Sequence, residues 1–95
     1  MAFILTITPT ALRDITSAVE YYNEKAQNLG YRFADLLDDY FIRIATVPTA
    51  SEVRYKNIRC KPMATFPYLI MYTIDEISET VSILRIFNTY LEPLW

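Results

Sequence analysis

Hydrophobic and polar positions along this chain follow two different periods, and the change comes near residue 48. Residues 3–7 (Phe-Ile-Leu-Thr-Ile) form a short β-prone run. Thr8-Pro9 then reads as a helix start, with Thr8 as the N-cap and Pro9 at the first helical position, where a missing N–H costs nothing. Leu12, Ile15, Val19, Tyr22 and Ala26 follow at alternating steps of three and four, which puts them on one face of an amphipathic helix. Asn28-Leu29-Gly30 breaks that pattern, and Gly30 offers the permissive backbone of a tight connection. A second helix is expected from about Tyr31 to Thr46. Its apolar stripe is Phe33, Leu36, Leu37, Tyr40, Phe41, Ile44 and Val47, with Asp35, Asp38, Asp39 and Arg43 off it. The short connection predicts an antiparallel helical hairpin, and Pro48 ends it.

Beyond Pro48 the period is that of strands. Three are expected: Val53–Lys61, Phe66–Ile74 and Thr80–Asn88, the last two joined by the polar turn Asp75-Glu76-Ile77-Ser78-Glu79. Phe66–Ile74 is apolar at both parities, the mark of a strand covered on both faces, so it belongs in the middle of the sheet. Thr80–Asn88 has the same character, interrupted only by Arg85. The fold class that follows is α+β, in the order β-α-α-β-β-β, with a mainly antiparallel sheet and the helical hairpin packed on one face. Ninety-five residues without a linker, repeat or low-complexity stretch make a single domain, 1–95.

Composition narrows the classes of function. A hydrophobic share of 53% with a single Gly excludes disorder and argues for a packed core. The net charge of −2 gives no general reason to bind nucleic acid or an acidic membrane. Its distribution is uneven, however. Residues 53–74 carry Arg54, Lys56, Arg59 and Lys61 and no acid, while the flanking segments are acidic. Cys60 stands alone and cannot form an internal disulfide, which suits a reducing cytoplasm. The N-terminus lacks a basic segment and a long apolar run, and nothing reaches transmembrane length, so no membrane partner is expected. The absence of His removes any His-based metal site, triad or general base. No metal or cofactor is implied.

Several short motifs, in order, carry a resemblance. Ala18-Val19-Glu20-Tyr21-Tyr22-Asn23 is followed by Leu29-Gly30-Tyr31-Arg32-Phe33, then Val53-Arg54-Tyr55-Lys56-Asn57-Ile58-Arg59. Phe66-Pro67-Tyr68-Leu69-Ile70-Met71-Tyr72 comes next. The close is Ile83-Leu84-Arg85-Ile86-Phe87-Asn88-Thr89, with Pro93 and Trp95 after it. In order and spacing the chain resembles the ParE branch of the RelE/ParE superfamily, the plasmid-stabilisation toxins of type II toxin–antitoxin systems. The resemblance implies a toxin wrapped and silenced by the C-terminal segment of a cognate antitoxin. It implies one of two targets: DNA gyrase for ParE-like members, or ribosome-bound mRNA, which RelE-like members cleave. Sequence-specific DNA binding by the toxin alone is not expected.

The two targets ask for different chemistry. RNA cleavage needs a base for the ribose 2′-hydroxyl, cations for the phosphorane and a proton donor for the leaving oxygen. Under the nuclease reading the residues in those roles are Arg59, Lys61 and Arg85 as cations and Tyr90 as acid. Arg85, flanked by apolar residues, must either meet a carboxylate or carbonyl or point into a cleft. The Arg54–Lys61 cluster can meet phosphate or an acidic antitoxin tail, or it is a solvated strand face that discourages edge pairing. Alternation divides it, with Arg59 and Lys61 on one face and Arg54 and Lys56 on the other. Tyr22 falls on the helical stripe and Tyr21 at its edge, as core or as antitoxin contacts. Cys60 is either a thiol activated by cations or a small buried hydrophobe. Trp95 either pins the tail to the sheet or docks a partner. Where many relatives end on His or Asn, Thr and a basic stretch, this chain has Asn88-Thr89-Tyr90-Leu91-Glu92-Pro93. Asn88 cannot serve as a general base, and the basic tail is gone. A gyrase-directed toxin that catalyses no covalent step is therefore placed first and a RelE-like endonuclease second. A member that keeps only antitoxin binding or self-association is the third alternative.

Overall fold

The computed structural model describes residues 2–90. In chain order they form β1 (Ile4–Ile7), α1 (Pro9–Lys25), α2 (Leu29–Thr46), β2 (Val53–Tyr55), β3 (Ile58–Pro62), β4 (Tyr68–Asp75) and β5 (Thr80–Asn88), with one 3₁₀ turn at Pro48–Ala50. The sheet runs β1-β5-β4-β3-β2; β1 lies parallel to β5 and every other pair is antiparallel. The two helices cover one face. Phe33, Leu37, Tyr40, Phe41 and Ile44 of α2 meet Tyr68, Ile70, Tyr72, Val81, Ile83 and Ile86 of the central strands in one buried core. A smaller cluster of Cys60, Met71 and Phe87 lies apart from that core.

The α+β class and the strand–hairpin–sheet order agree with the sequence pattern, but several boundaries differ, each for a local reason. Residues 53–61, expected as one strand, are two. Lys56 takes a left-handed backbone (φ 51°), and with Asn57 it turns β2 back against β3. β4 begins at Tyr68 rather than Phe66. Phe66 N–H donates to Ala64 C=O at 2.8 Å around Thr65 (φ 75°), and Tyr68 N–H donates to Phe66 C=O at 2.9 Å around Pro67. These are successive three-residue turns, the first of the rare positive-φ kind. They hold Phe66 in the core.

The helical connection also works differently from expectation. Asn28, not Gly30, takes the left-handed conformation (φ 64°), and α2 already begins at Leu29. Gly30 is buried inside the helix, where an added Cβ would lie 2.2 Å from Val19 C=O. Its lack of a side chain permits close helix packing rather than a turn. The inward face of α1 is rotated at its start: Ala11 and Ala18 are fully buried, whereas Leu12 is 55% exposed. Small residues let the helix lie close to β5, so the bulkier Leu12 is left outside. Val47, expected on the α2 stripe, is 54% exposed, because the helix ends at Thr46.

One irregularity, in the pairing of β4 with β5, positions Arg85 and Ile86. Met71 pairs with Arg85 and Tyr72 with Ile83, so Leu84 is an extra residue in β5. A bulge of this kind shifts the side-chain parity of a strand. Ile83 and Ile86 are both buried in the core in consequence. The backbone groups freed at the bulge find side-chain partners. Thr8 Oγ1 donates to Leu84 C=O at 3.1 Å and also accepts from Ala11 N–H at 3.2 Å as the N-cap of α1.

Candidate functional site

Arg85 follows the bulge on the part of β5 that extends beyond its pairing with β1, which ends at Ile7↔Ile83. Its Nε donates to Asp14 Oδ2 at 2.8 Å and its Nη2 to Asp14 Oδ1 at 3.3 Å. Ile86 N–H donates to the same Oδ2 at 3.0 Å. One carboxylate on α1 therefore neutralises the base and satisfies a backbone donor on the β5 edge. Arg85 does line a depression of about 310 Å³ with Asp14, Ser17, Tyr21, Tyr68 and Asn88. Its charge there is already matched.

Arg59 is likewise engaged. It pairs in register with Tyr72, and its Nη1 donates to Ser51 C=O at 2.7 Å and more weakly to Thr49 C=O at 3.4 Å. The Tyr72 hydroxyl donates to Pro48 C=O at 2.6 Å. Together these two side chains tie the segment after α2 to the sheet. Lys61 sits one pleat further along, opposite Ile70, with its ammonium 5.8 Å from the centre of the Tyr40 ring. Arg43 of α2 lies 5.1 Å from the same ring. Such contacts favour a cation over an aromatic face.

Tyr90 is 85% exposed; its N–H donates to Asn88 Oδ1 at 2.9 Å. With Tyr21, Tyr22, Arg32, Leu36 and Phe66 it lines a cleft of about 660 Å³. Tyr22 packs its ring against Phe33, Phe66 and Tyr68, which makes it core at the base of that cleft, while Tyr21 lies half exposed beside it. Burial, then the neighbouring Tyr68 phenol, pushes the Tyr22 phenol up to about 12, so it stays neutral at physiological pH. Cys60 is buried, and burial raises its thiol pKa against the lowering effect of Arg54. It is a packed small hydrophobe, not an activated nucleophile. Trp95 and Glu92 lie outside the described residues.

The four residues assigned to RNA cleavage do not line one cavity, although the cavities of Arg85 and Tyr90 share Tyr21 and Asn88. Arg59 clamps the segment after α2, Lys61 flanks Tyr40, Arg85 is bound to Asp14 and Tyr90 borders the aromatic cleft, and they line different cavities. Arg59 and Lys61 lie on β3, separated from Arg85 on β5 by β4. Sequence reasoning missed Asp14, Tyr40 and Arg43. Asp14 left one trace, the requirement that a lone base in an apolar strand find a partner. Among the described residues no group of Cys, Asp and Glu side chains has the arrangement of a metal site, and no helix is long and apolar enough to cross a membrane.

A family model described as "ParE toxin of type II toxin-antitoxin system, parDE" matches residues 5–89, nearly the whole chain. The chain belongs to the ParE toxin family. The same two-helix, five-strand architecture recurs in solved structures. A chain of the chromosomal ParDE TA system from P. aeruginosa is similar over 92% of this chain and 96% of its own, at 13% identity and a TM-score of 0.79. A chain of the toxin–antitoxin complex RelBE2 from Mycobacterium tuberculosis is similar over 93% of this chain and 99% of its own, at 21% identity and a TM-score of 0.63. At these identities the likeness is one of fold. No curated protein matches. Within the ParE family this chain stands as a toxin component of a toxin–antitoxin system, with Asp14 and Arg85 tying α1 to its last strand.

Proposed function

We propose that the chain is a type II toxin held silent in the cytoplasm by a cognate antitoxin and that, when free, it inhibits DNA gyrase by binding, without catalysing a covalent step. The observation that carries this choice is the dispersal of the would-be nuclease groups. General acid, general base and phosphate-binding cations must converge within hydrogen-bonding reach of one substrate to cleave RNA. Here Arg85 is matched by Asp14, Arg59 is spent on backbone carbonyls, and Tyr90 lies beside a different cleft from Lys61. The ParE family match points the same way.

Controlled expression of the chain without an antitoxin tests this reading. Growth arrest with filamentation and a DNA-damage response is the expected outcome, with cellular mRNA intact. Site-specific cuts in ribosome-bound mRNA, lost in Arg85→Ala or Lys61→Ala, would favour a RelE-like endonuclease instead. Normal growth with abundant folded protein would count against both forms of toxicity and for a member that retains only binding.

A further inference from the structure

Among the described residues one cation–carboxylate pair forms, Arg85 with Asp14. Two of the remaining bases gather at the C-terminal end of α2. Arg43 and Lys61 both lie over the Tyr40 ring, and neither has a carboxylate partner among the described residues. They border a hollow of about 390 Å³ built largely from apolar atoms, with Tyr40 and Ile44 beneath and Val47 at one side. Ile42 on its rim is 66% exposed, an aliphatic side chain left in water beside two free charges.

The hollow is held in shape. The Tyr40 hydroxyl accepts from Ala64 N–H at 2.8 Å, which fixes the ring. Arg59 and the Tyr72 hydroxyl anchor the Pro48–Ser51 segment that forms its far wall. A preformed pocket loses little conformational entropy when it is filled. Its chemistry is two-sided: an apolar floor wants an aliphatic or aromatic side chain, and paired cations at the rim want carboxylates. No Asp or Glu lines the hollow, so its own wall does not supply those carboxylates.

We propose that this hollow is the docking site for an acidic segment of the cognate antitoxin, which seats one apolar side chain against Tyr40 and pairs its carboxylates with Arg43 and Lys61. The assignment rests on the toxin–antitoxin reading above and adds the place and chemistry of contact. A nucleic-acid strand fits the site less well, because phosphates would meet the two cations and leave Ile42 and Val47 in water. A second copy would need to bring acids to the same two cations.

The test uses the full chain and its cognate antitoxin, with binding measured by titration calorimetry and folding checked by circular dichroism. Arg43→Glu/Lys61→Glu is expected to weaken binding roughly 100-fold, because like charges would replace two paired cations. Ile42→Asp, on an exposed position that the fold does not need, should weaken it roughly tenfold. Arg54→Glu, outside the hollow, should stay within about threefold of wild type, and added salt should weaken the wild-type complex. Near-wild-type binding by the charge-reversed pair would overturn the site while leaving the toxin–antitoxin reading standing. Absence of any wild-type complex would overturn both. A short single-stranded RNA that binds wild type but not the charge-reversed pair, with antitoxin binding unchanged, would reassign the hollow to nucleic acid. A dimer in gel filtration that Ile42→Asp dissolves, again with antitoxin binding unchanged, would reassign it to self-association.

Discussion

Asp14 carries more of this structure than its place on a polar helix face suggests. Its carboxylate holds the Arg85 guanidinium in a two-pronged pair and also accepts the Ile86 N–H on the β5 edge. Removing either partner is therefore not symmetric. Asp14→Ala leaves a half-buried charge and an unpaired backbone donor, at a cost of about 3 kcal/mol. Arg85→Ala leaves Asp14 still bound to Ile86 and able to reach water, at about 1 kcal/mol. Asp14→Asn keeps an acceptor for Ile86 and should fall between them. Urea unfolding of the three variants measures this order, and an Arg85→Ala variant as unstable as Asp14→Ala would refute it. The need for a partner was readable in the sequence, since Arg85 is the one base in an apolar strand. Its identity was not, because 71 positions separate the two residues and no local pattern links them. Cys60 was readable as a small buried residue, and the structure places it beside Met71 and Phe87.

At the scale of elements, the long amphipathic helices were the most legible parts, because a 3.6-residue period repeated over four turns leaves few alternatives. What escaped were features that depend on close approach or on a single torsion. Ala11 and Ala18 make the contact face of α1 by being small, so a search for large apolar residues gave Leu12 instead. The split between β2 and β3 hangs on the left-handed backbone of Lys56, a residue that rarely signals a turn. Leu84 shifts the parity of β5, which explains why an alternation rule could not assign the faces of Ile83 and Ile86. Gly30 was singled out correctly as special but for the wrong property. Gly30→Ala would ordinarily favour a helix by about 1 kcal/mol. Here the new methyl group meets the Val19 carbonyl, and the hairpin must open, so a net loss of about 2 kcal/mol is expected in thermal or urea unfolding. Unchanged or increased stability would mean that the helices are not packed as closely as described.

The molecule as a whole sets an acidic balance against a local basic segment, and the fold distributes that segment rather than concentrating it. β2 and β3 turn back on each other, so Arg54, Arg59 and Lys61 serve different surroundings. The sheet order β1-β5-β4-β3-β2 then places β4 between Arg85 and the basic strand. Motif order was enough to indicate the ParE family, which the match over residues 5–89 shows. Motif order contains no tertiary partners, and it is the partners of Arg59 and Arg85 and the placement of β4 between their strands that divide the nuclease set. The proposal of inhibition by binding rests on the separate engagement of Arg59 and Arg85 among the described residues. The most direct test is to add purified toxin to two reactions side by side, DNA supercoiling by gyrase and translation of a defined mRNA. Supercoiling should stop at toxin concentrations near those of gyrase while the mRNA stays intact, with activity restored by the antitoxin. Unaffected supercoiling together with ribosome-dependent cuts in the mRNA would contradict the proposal.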